Sequence, residues 1–396
     1  MVSRELVELI YEAAGIQRWN DHIRPHKGFT ELDKQAHKMV FAYVLARFEE
    51  SEKGVSIDWR RLIEGGIFEF MHRVVLTDIK PPVFHRLMAE KGDRLNQWVL
   101  GRLQERVPSP WPGFYESFAG YVAAPAREPE KRILKASHYL ATSWEFKIIY
   151  HLNTGLYGLE ETKAKIGDEL EEHFELAGVR KLQLGRKTAN FMDLVGQLRF
   201  QQRWAQTPRV PETSVMGHML AVAMLSYFFS VTLSACSRRA YNNYFCGLFH
   251  DLPEVLTRDI VSPVKKSVEG LDELIKDIEQ RQLEEKLLPL LPVSWHREIK
   301  YFTGNEFANR AVVDGKIIFV GSEGMNAYNE DRFSPVDGEL IEVCDRLAAL
   351  VEAHLSLSHG IRSHHLAEGH RKLYHDCRAR RPAGLDLCPL FDSFRP

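Results

Sequence analysis

His218, the adjacent pair His250-Asp251, and Asp314 are the residues of this chain whose types and order could do chemistry together. Imidazole nitrogens and carboxylate oxygens from three separate helices can converge on one divalent cation, because a bundle core receives inward-facing side chains from each of its helices. An aspartate inside an apolar segment such as GLFHDLPEVL is costly to bury alone, and a cation held by two such acids offsets both. Glu254 follows Asp251 by three residues and so shares its helical face, with Asp259 just beyond. Singly, each has an ordinary explanation: a lone histidine on an apolar face is usually a hydrogen-bonded core residue, and Asp314 suits a helix cap or the surface. Together, the order H…HD…D points to one divalent metal ion, with Mn, Co, Mg, Fe, Ni and Zn all open.

Helices must hold these groups. Apolar residues recur at three- and four-residue spacing in LVELIYEAAG, MVFAYVLARF, LDELIKDIEQRQLEEKLLPLL and GELIEVCDRLAALVEAHLSL, while alternating Val/Ile/Thr runs are nearly absent. An all-α fold is expected, with Pro208, Pro211, Pro263 and Pro292 marking helix ends or loops. Residues 219–236 carry no formal charge over eighteen positions, long enough to raise a membrane-spanning helix. Their place directly after His218 and their content of Ser226, Ser230, Thr232 and Ser234 favour the centre of a large helical domain instead, and no membrane is expected.

A length of 396 residues suggests two to three domains at roughly 150 residues each. With 44% hydrophobic and 27% charged residues the chain is expected to fold as an ordinary globular protein. Lys and Arg total 52 against 54 Asp and Glu, so no global basic field exists to hold duplex nucleic acid. Five widely spaced cysteines without a C-x-x-C pair argue against a disulfide framework or thiolate zinc site, and the N-terminus lacks a signal-peptide core. A cytoplasmic location is expected.

The chain reads as a duplication. VMGHMLAVAMLSYFF around His218 answers KQAHKMVFAYVLARF around His37, 181 positions earlier. Gly66, Phe68, Asp78, Ile79, Pro82 and Val83 recur at the same offset as Gly247, Phe249, Asp259, Ile260, Pro263 and Val264. Gln17-Arg18-Trp19 corresponds to Gln202-Arg203-Trp204, and Gly178-Val179-Arg180 to Gly360-Ile361-Arg362. A period of domain length predicts two similar domains, residues 1–184 and 185–396.

The run LRFQQRWAQTPRVPETSVMGHMLAVAM leading into GLFHDLPEVLTRDIVSPVK resembles the HD-domain metal-dependent phosphohydrolases, and more narrowly the bacterial HD-domain 5′-deoxynucleotidases. The resemblance covers about 150 residues of the second half and, more weakly, the first. It implies a tandem pair of HD-domain helical bundles with a degenerate N-terminal copy. It makes His218, His250, Asp251 and Asp314 metal ligands, Glu254 and Asp259 catalytic or water-positioning acids, and Arg203 and Trp204 substrate contacts. Two departures stand out: Gly217 replaces an acid common before the first histidine, and Asp314 is followed by Gly315-Lys316 where the family has Asp-Lys. Arg203-Trp204 read without the resemblance would be an arginine stacked on a structural tryptophan.

The implied activity is a phosphoric monoester hydrolase acting on a small phosphate ester, a nucleotide and, most narrowly, a deoxynucleoside 5′-monophosphate. Rival readings are hydrolysis of another phosphate ester, a nucleoside triphosphate or a signalling nucleotide, and a non-catalytic nucleotide sensor or scaffold. For a triphosphate only Arg258, Lys265 and Lys266 are at hand, an unremarkable number.

In the first half, His37 stands for His218, but Glu69, Phe70, Arg73 and Ala136 replace His250, Asp251, Glu254 and Asp314, leaving Asp78 for Asp259. That half is expected to hold no metal and to serve as scaffold, the fused copies forming an intramolecular pseudo-dimer. The histidines at 359, 364, 365, 370 and 375 are expected on a solvated helix, and the final stretch RARRPAGLDLCPLFDSFRP as a loosely packed extension.

Overall fold

Helical periodicity translates into helices almost throughout the computed structural model, which describes residues 2–258, 260 and 268–396. Asp259, Pro263, Val264, Lys265 and Lys266 lie outside the described residues. The chain separates into two compact units, Ser3–Met192 and Asp193–Pro396. The expected division after residue 184 falls one helix earlier, between the helices Ala177–Gln183 and Lys187–Gly196.

The second unit is built round the helix Val215–Thr232. Ser214 caps it, its hydroxyl accepting from the Gly217 amide at 2.9 Å. By length and composition this helix could cross a membrane, yet 89% of it is buried inside the protein, as expected of a domain centre. The helix Ser237–Phe249 packs against it at Gly247, where a β-carbon would stand 2.8 Å from the Ala223 backbone, so only glycine permits this approach. The third wall is the helix Gly338–Ser358.

One buried polar knot fixes these three helices. The Asn243 side-chain amide donates to Ser230 Oγ at 2.9 Å and to Asp337 Oδ2 at 2.7 Å, while its carbonyl accepts from the Asp337 amide at 2.9 Å. Arg239 closes the knot with a bidentate pair to Asp337 at 2.7 and 2.6 Å. Every member is buried, so the network fixes how the helices cross rather than merely decorating them.

Two expectations need correction. Asp314 is not helical: RAVV and KIIF form an antiparallel hairpin, Arg310–Val313 with Lys316–Phe319, and Asp314-Gly315 is its two-residue turn. Both turn residues have positive φ, 48° and 77°, which is what Asp-Gly supplies to a hairpin whose strands twist. The C-terminal stretch is not loose either. Phe391 and Phe394 are fully buried, and the His370 Nε2–H donates to the Phe394 carbonyl at 2.9 Å. Aromatic residues two and five places from the chain end anchor it where helical period was missing.

The first unit centres on the helix Glu31–Lys53, capped by Thr30, whose hydroxyl accepts from the Asp33 amide at 3.2 Å. The helices Trp59–Leu76 and Pro129–Leu152 pack on it.

Candidate metal centre

His218 is the fourth residue after the Ser214 cap, so its ring projects from the first turn of the central helix. His250 closes the helix Ser237–Phe249 and Asp251 begins the turn that leaves it. Glu254 then opens the single helical turn Glu254–Thr257 and is buried. Ligand atoms of His218, His250 and Asp251 all lie within 4.8 Å of one another.

Asp314 is not among them; it lies exposed in the hairpin turn. The carboxylate beside the cluster is Asp345, from the helix Gly338–Ser358, with Oδ1 2.8 Å from His218 Nε2. Sequence reading missed it, although Asp345 interrupts the apolar stripe of that helix and is followed directly by Arg346, the acid-base order that Asp314-Gly315-Lys316 lacks.

The donors fit a divalent cation. His250 Nδ1–H donates to the Gly247 carbonyl at 2.8 Å, since a carbonyl can only accept. That tautomer leaves a buried lone pair on Nε2, 3.1 Å from Asp251 Oδ2, an arrangement that needs a proton or a cation between the two. Ligand atoms on adjacent positions of an octahedral ion at about 2.1 Å lie about 3 Å apart. Both His–Asp pairs, at 2.8 and 3.1 Å, have that spacing.

Electrostatics agree. Burial alone would lower the His250 pKa, but the Asp251 carboxylate outweighs it and the value is pushed up to about 9. His218 rises likewise against its burial and the Arg203 charge, through Asp345 and Glu352. Burial raises Asp251 and Asp345, and the neighbouring histidines and Arg203 hold both below the usual carboxylate range.

Arg203 lies at ion-pair distance from three acids: 4.0 Å from Asp251, 3.8 Å from Asp345 and 3.9 Å from Glu352. Trp204 beside it is half-buried with φ 55°, and its indole N–H donates to Glu352 Oε2 at 3.0 Å. A β-carbon at Gly369 would sit 2.8 Å from the Trp204 ring, so that glycine makes room for it. Glu352 also accepts from Thr213 Oγ1 at 2.9 Å and stands 3.6 Å from both Arg209 and His218 Nδ1. The structure thus brings Arg203, Trp204, His218, His250 and Asp251 together, adds Asp345 and Glu352, and leaves Asp314 outside. Asp259, which follows the Glu254 turn, lies outside the described residues.

The segment carrying all of these residues, 195–374, matches the HD-domain family. The chain is 26% identical over 131 residues to a 5′-deoxynucleotidase of Vibrio atlanticus, covering 31% of this chain and 65% of that protein, just under two thirds of its length. It is 24% identical over 147 residues to a 5′-deoxynucleotidase of Photobacterium profundum, covering 35% of this chain and 72% of that protein.

The first unit has a related arrangement with different chemistry. Lys34, not His37, is the fourth residue after the Thr30 cap, and its Nζ lies 2.5 Å from His138 Nδ1. His37 packs between Phe41 and Trp144, with Nε2 3.2 Å from the Met192 carbonyl. His138 and Glu145 precede Asp345 and Glu352 by the same 207 positions. Arg18 and Trp19 meet Glu145, the arginine at 3.0 Å and the indole N–H at 2.7 Å, as Arg203 and Trp204 meet Glu352.

Proposed function

We propose that the HD domain is a metal-dependent phosphohydrolase that releases phosphate from a nucleotide, and that its substrate is a deoxynucleoside 5′-monophosphate. The observation that carries the reading is the cluster of buried His218 and His250 with Asp251, and Asp345 beside it, with His218 2.8 Å from Asp345 and His250 3.1 Å from Asp251, residues that would hold a divalent ion. A divalent ion there supplies a water of lowered pKa and neutralises charge on the phosphoryl group. The chain's own groups do the rest. Glu254, buried three residues beyond Asp251, holds or passes the proton exchanged with the attacking water or leaving alkoxide. Asp259 is proposed to share that work. Arg203 presents two donors to a phosphate, and the half-buried Trp204 face borders the sugar or base. The names of the two bacterial relatives support the deoxynucleotide, and free cysteines support a reducing, cytoplasmic setting.

We further propose that the two units descend from one duplicated domain, divided near residue 185. The support is local: positive φ at Trp19 and Trp204, 57° and 55°, and matching isolated bridges Gln17 with Thr30 and Gln202 with Ser214.

The deciding experiment is metal analysis of the purified protein followed by phosphate-release assays on nucleoside mono-, di- and triphosphates with Mn²⁺, Co²⁺ and Mg²⁺. Metal-dependent release from deoxynucleoside monophosphates is expected. Release from triphosphates alone would replace the substrate, and nucleotide binding without release would make the site a sensor.

A further inference from the structure

An amine stands in the first unit where the second has a histidine ligand. Lys34 is fully buried, and among the described residues its ammonium has the His138 ring as hydrogen-bonding partner, one acceptor site for three donors. Arg73 holds the place of Glu254, turning an acid into a cation. Its Nε is buried without a hydrogen bond, and its guanidinium reaches Glu31 and Asp78 only at 3.8 and 4.0 Å. Neighbouring charges are better matched: Arg18 spans Glu31 and Glu145, and Lys38 meets Glu69 at 2.5 Å. Four bases therefore face two buried acids, Glu31 and Glu145, and two part-exposed ones, Glu69 and Asp78, and of the bases Lys34 and Arg73 are the two without a close carboxylate. Burial, and then the Arg18 charge, hold the Lys34 pKa well below the usual lysine value, and an anion beside it would restore the ammonium.

We propose that this cluster is a metal-free binding site for a nucleoside monophosphate, with the phosphate held by Lys34, Arg18 and Arg73 and the ring faced by Trp19. The inference takes from the proposed function only the pairing of an Arg-Trp corner with a nucleotide. The chemistry favours a phosphate over a metal. Phe70 stands where Asp251 would bind an ion, and two of the nearest groups, Lys34 and Arg73, are cationic. The cluster meets solvent at its Glu69 and Arg73 edge, where the side chains keep 34% and 14% of their exposure. Trp19 is oriented by its bond to Glu145, as Trp204 is by Glu352.

The test is calorimetric titration of the full chain carrying R203A and D251A, in EDTA, with dAMP, adenosine and inorganic phosphate. One equivalent of dAMP is expected to bind, phosphate more weakly and adenosine not measurably. K34M should abolish binding, and R73E, at the more open edge, should weaken it at least tenfold, with thermal melts confirming that both variants fold. No binding in the parent background, or binding indifferent to both K34M and R73E, overturns the site. Equal affinity for inorganic phosphate overturns the part given to Trp19. Because the second unit is disabled here, a negative result leaves its hydrolytic reading intact, and failure of that reading leaves this titration standing.

Discussion

His218 Nε2 lies 2.8 Å from Asp345 Oδ1, joining residues 127 positions apart. Nothing local to either residue makes that contact. It depends on Asn243, which bonds Ser230 on the His218 helix and Asp337 at the start of the Asp345 helix. The His250 helix is thus the splint that holds the helices carrying His218 and Asp345 in register.

Asp345 and Asp314 give a direct comparison. D345N should lose bound metal and at least 100-fold in phosphate release, because an amide is a poorer ligand and leaves His218 without its anionic neighbour. D314N, in an exposed turn, should keep both. Metal content measured beside turnover decides it, and the reverse pattern would restore the hairpin aspartate to the site.

Glu254 separates chemistry from coordination. E254Q should retain metal and slow turnover by about 10²–10⁴, the range for a lost general acid or base. A variant that keeps full activity would remove Glu254 from the reaction, and one that loses metal would make it a ligand.

The helices, the His-Asp dyad and the apolar centre were legible in sequence because each is written in a local pattern. Asp345 was not, because its partner is 127 residues away and only the polar knot at Asn243 brings it near. Asp314 misled for the opposite reason: Val-Val-Asp-Gly-Lys-Ile-Ile is a hairpin signal in a chain otherwise helical, and the turn pair outweighed the surrounding composition. A fixed offset of 181 likewise put His37 opposite His218, whereas counting from the cap puts Lys34 there, because the stretch from the cap to the glycine of the next helix is three residues longer in the first unit, Thr30 to Gly66 against Ser214 to Gly247.

Glu352 should couple substrate binding to folding. It is fully shielded from solvent and joins Trp204 and Thr213 while neutralising Arg209. E352Q leaves that arginine buried with less compensation and should cost about 3–5 kcal/mol. In the folded fraction, KM should rise more than kcat falls, because Trp204 and Arg203 lose their anchor while the ligands remain. Chemical denaturation with steady-state kinetics reads both effects, and an unchanged KM would confine Glu352 to a structural role.

The first unit makes an acid-stability prediction through Glu31. Burial raises its pKa, but Arg18, then Lys34 and Arg73, outweigh this and bring it down to about 2. A carboxylate depressed in the folded state contributes stability that is complete above its unfolded value of about 4.5 and lost as pH falls through the folded value. A depression of that size corresponds to about 3 kcal/mol at neutral pH. E31Q should therefore be less stable than the parent by about that amount at pH 7, with the two converging near pH 2, because glutamine carries no proton to gain. Urea unfolding followed by tryptophan fluorescence across pH 2–7 measures the difference. Parallel curves would mean that the Arg18 pair contributes nothing that depends on the Glu31 charge.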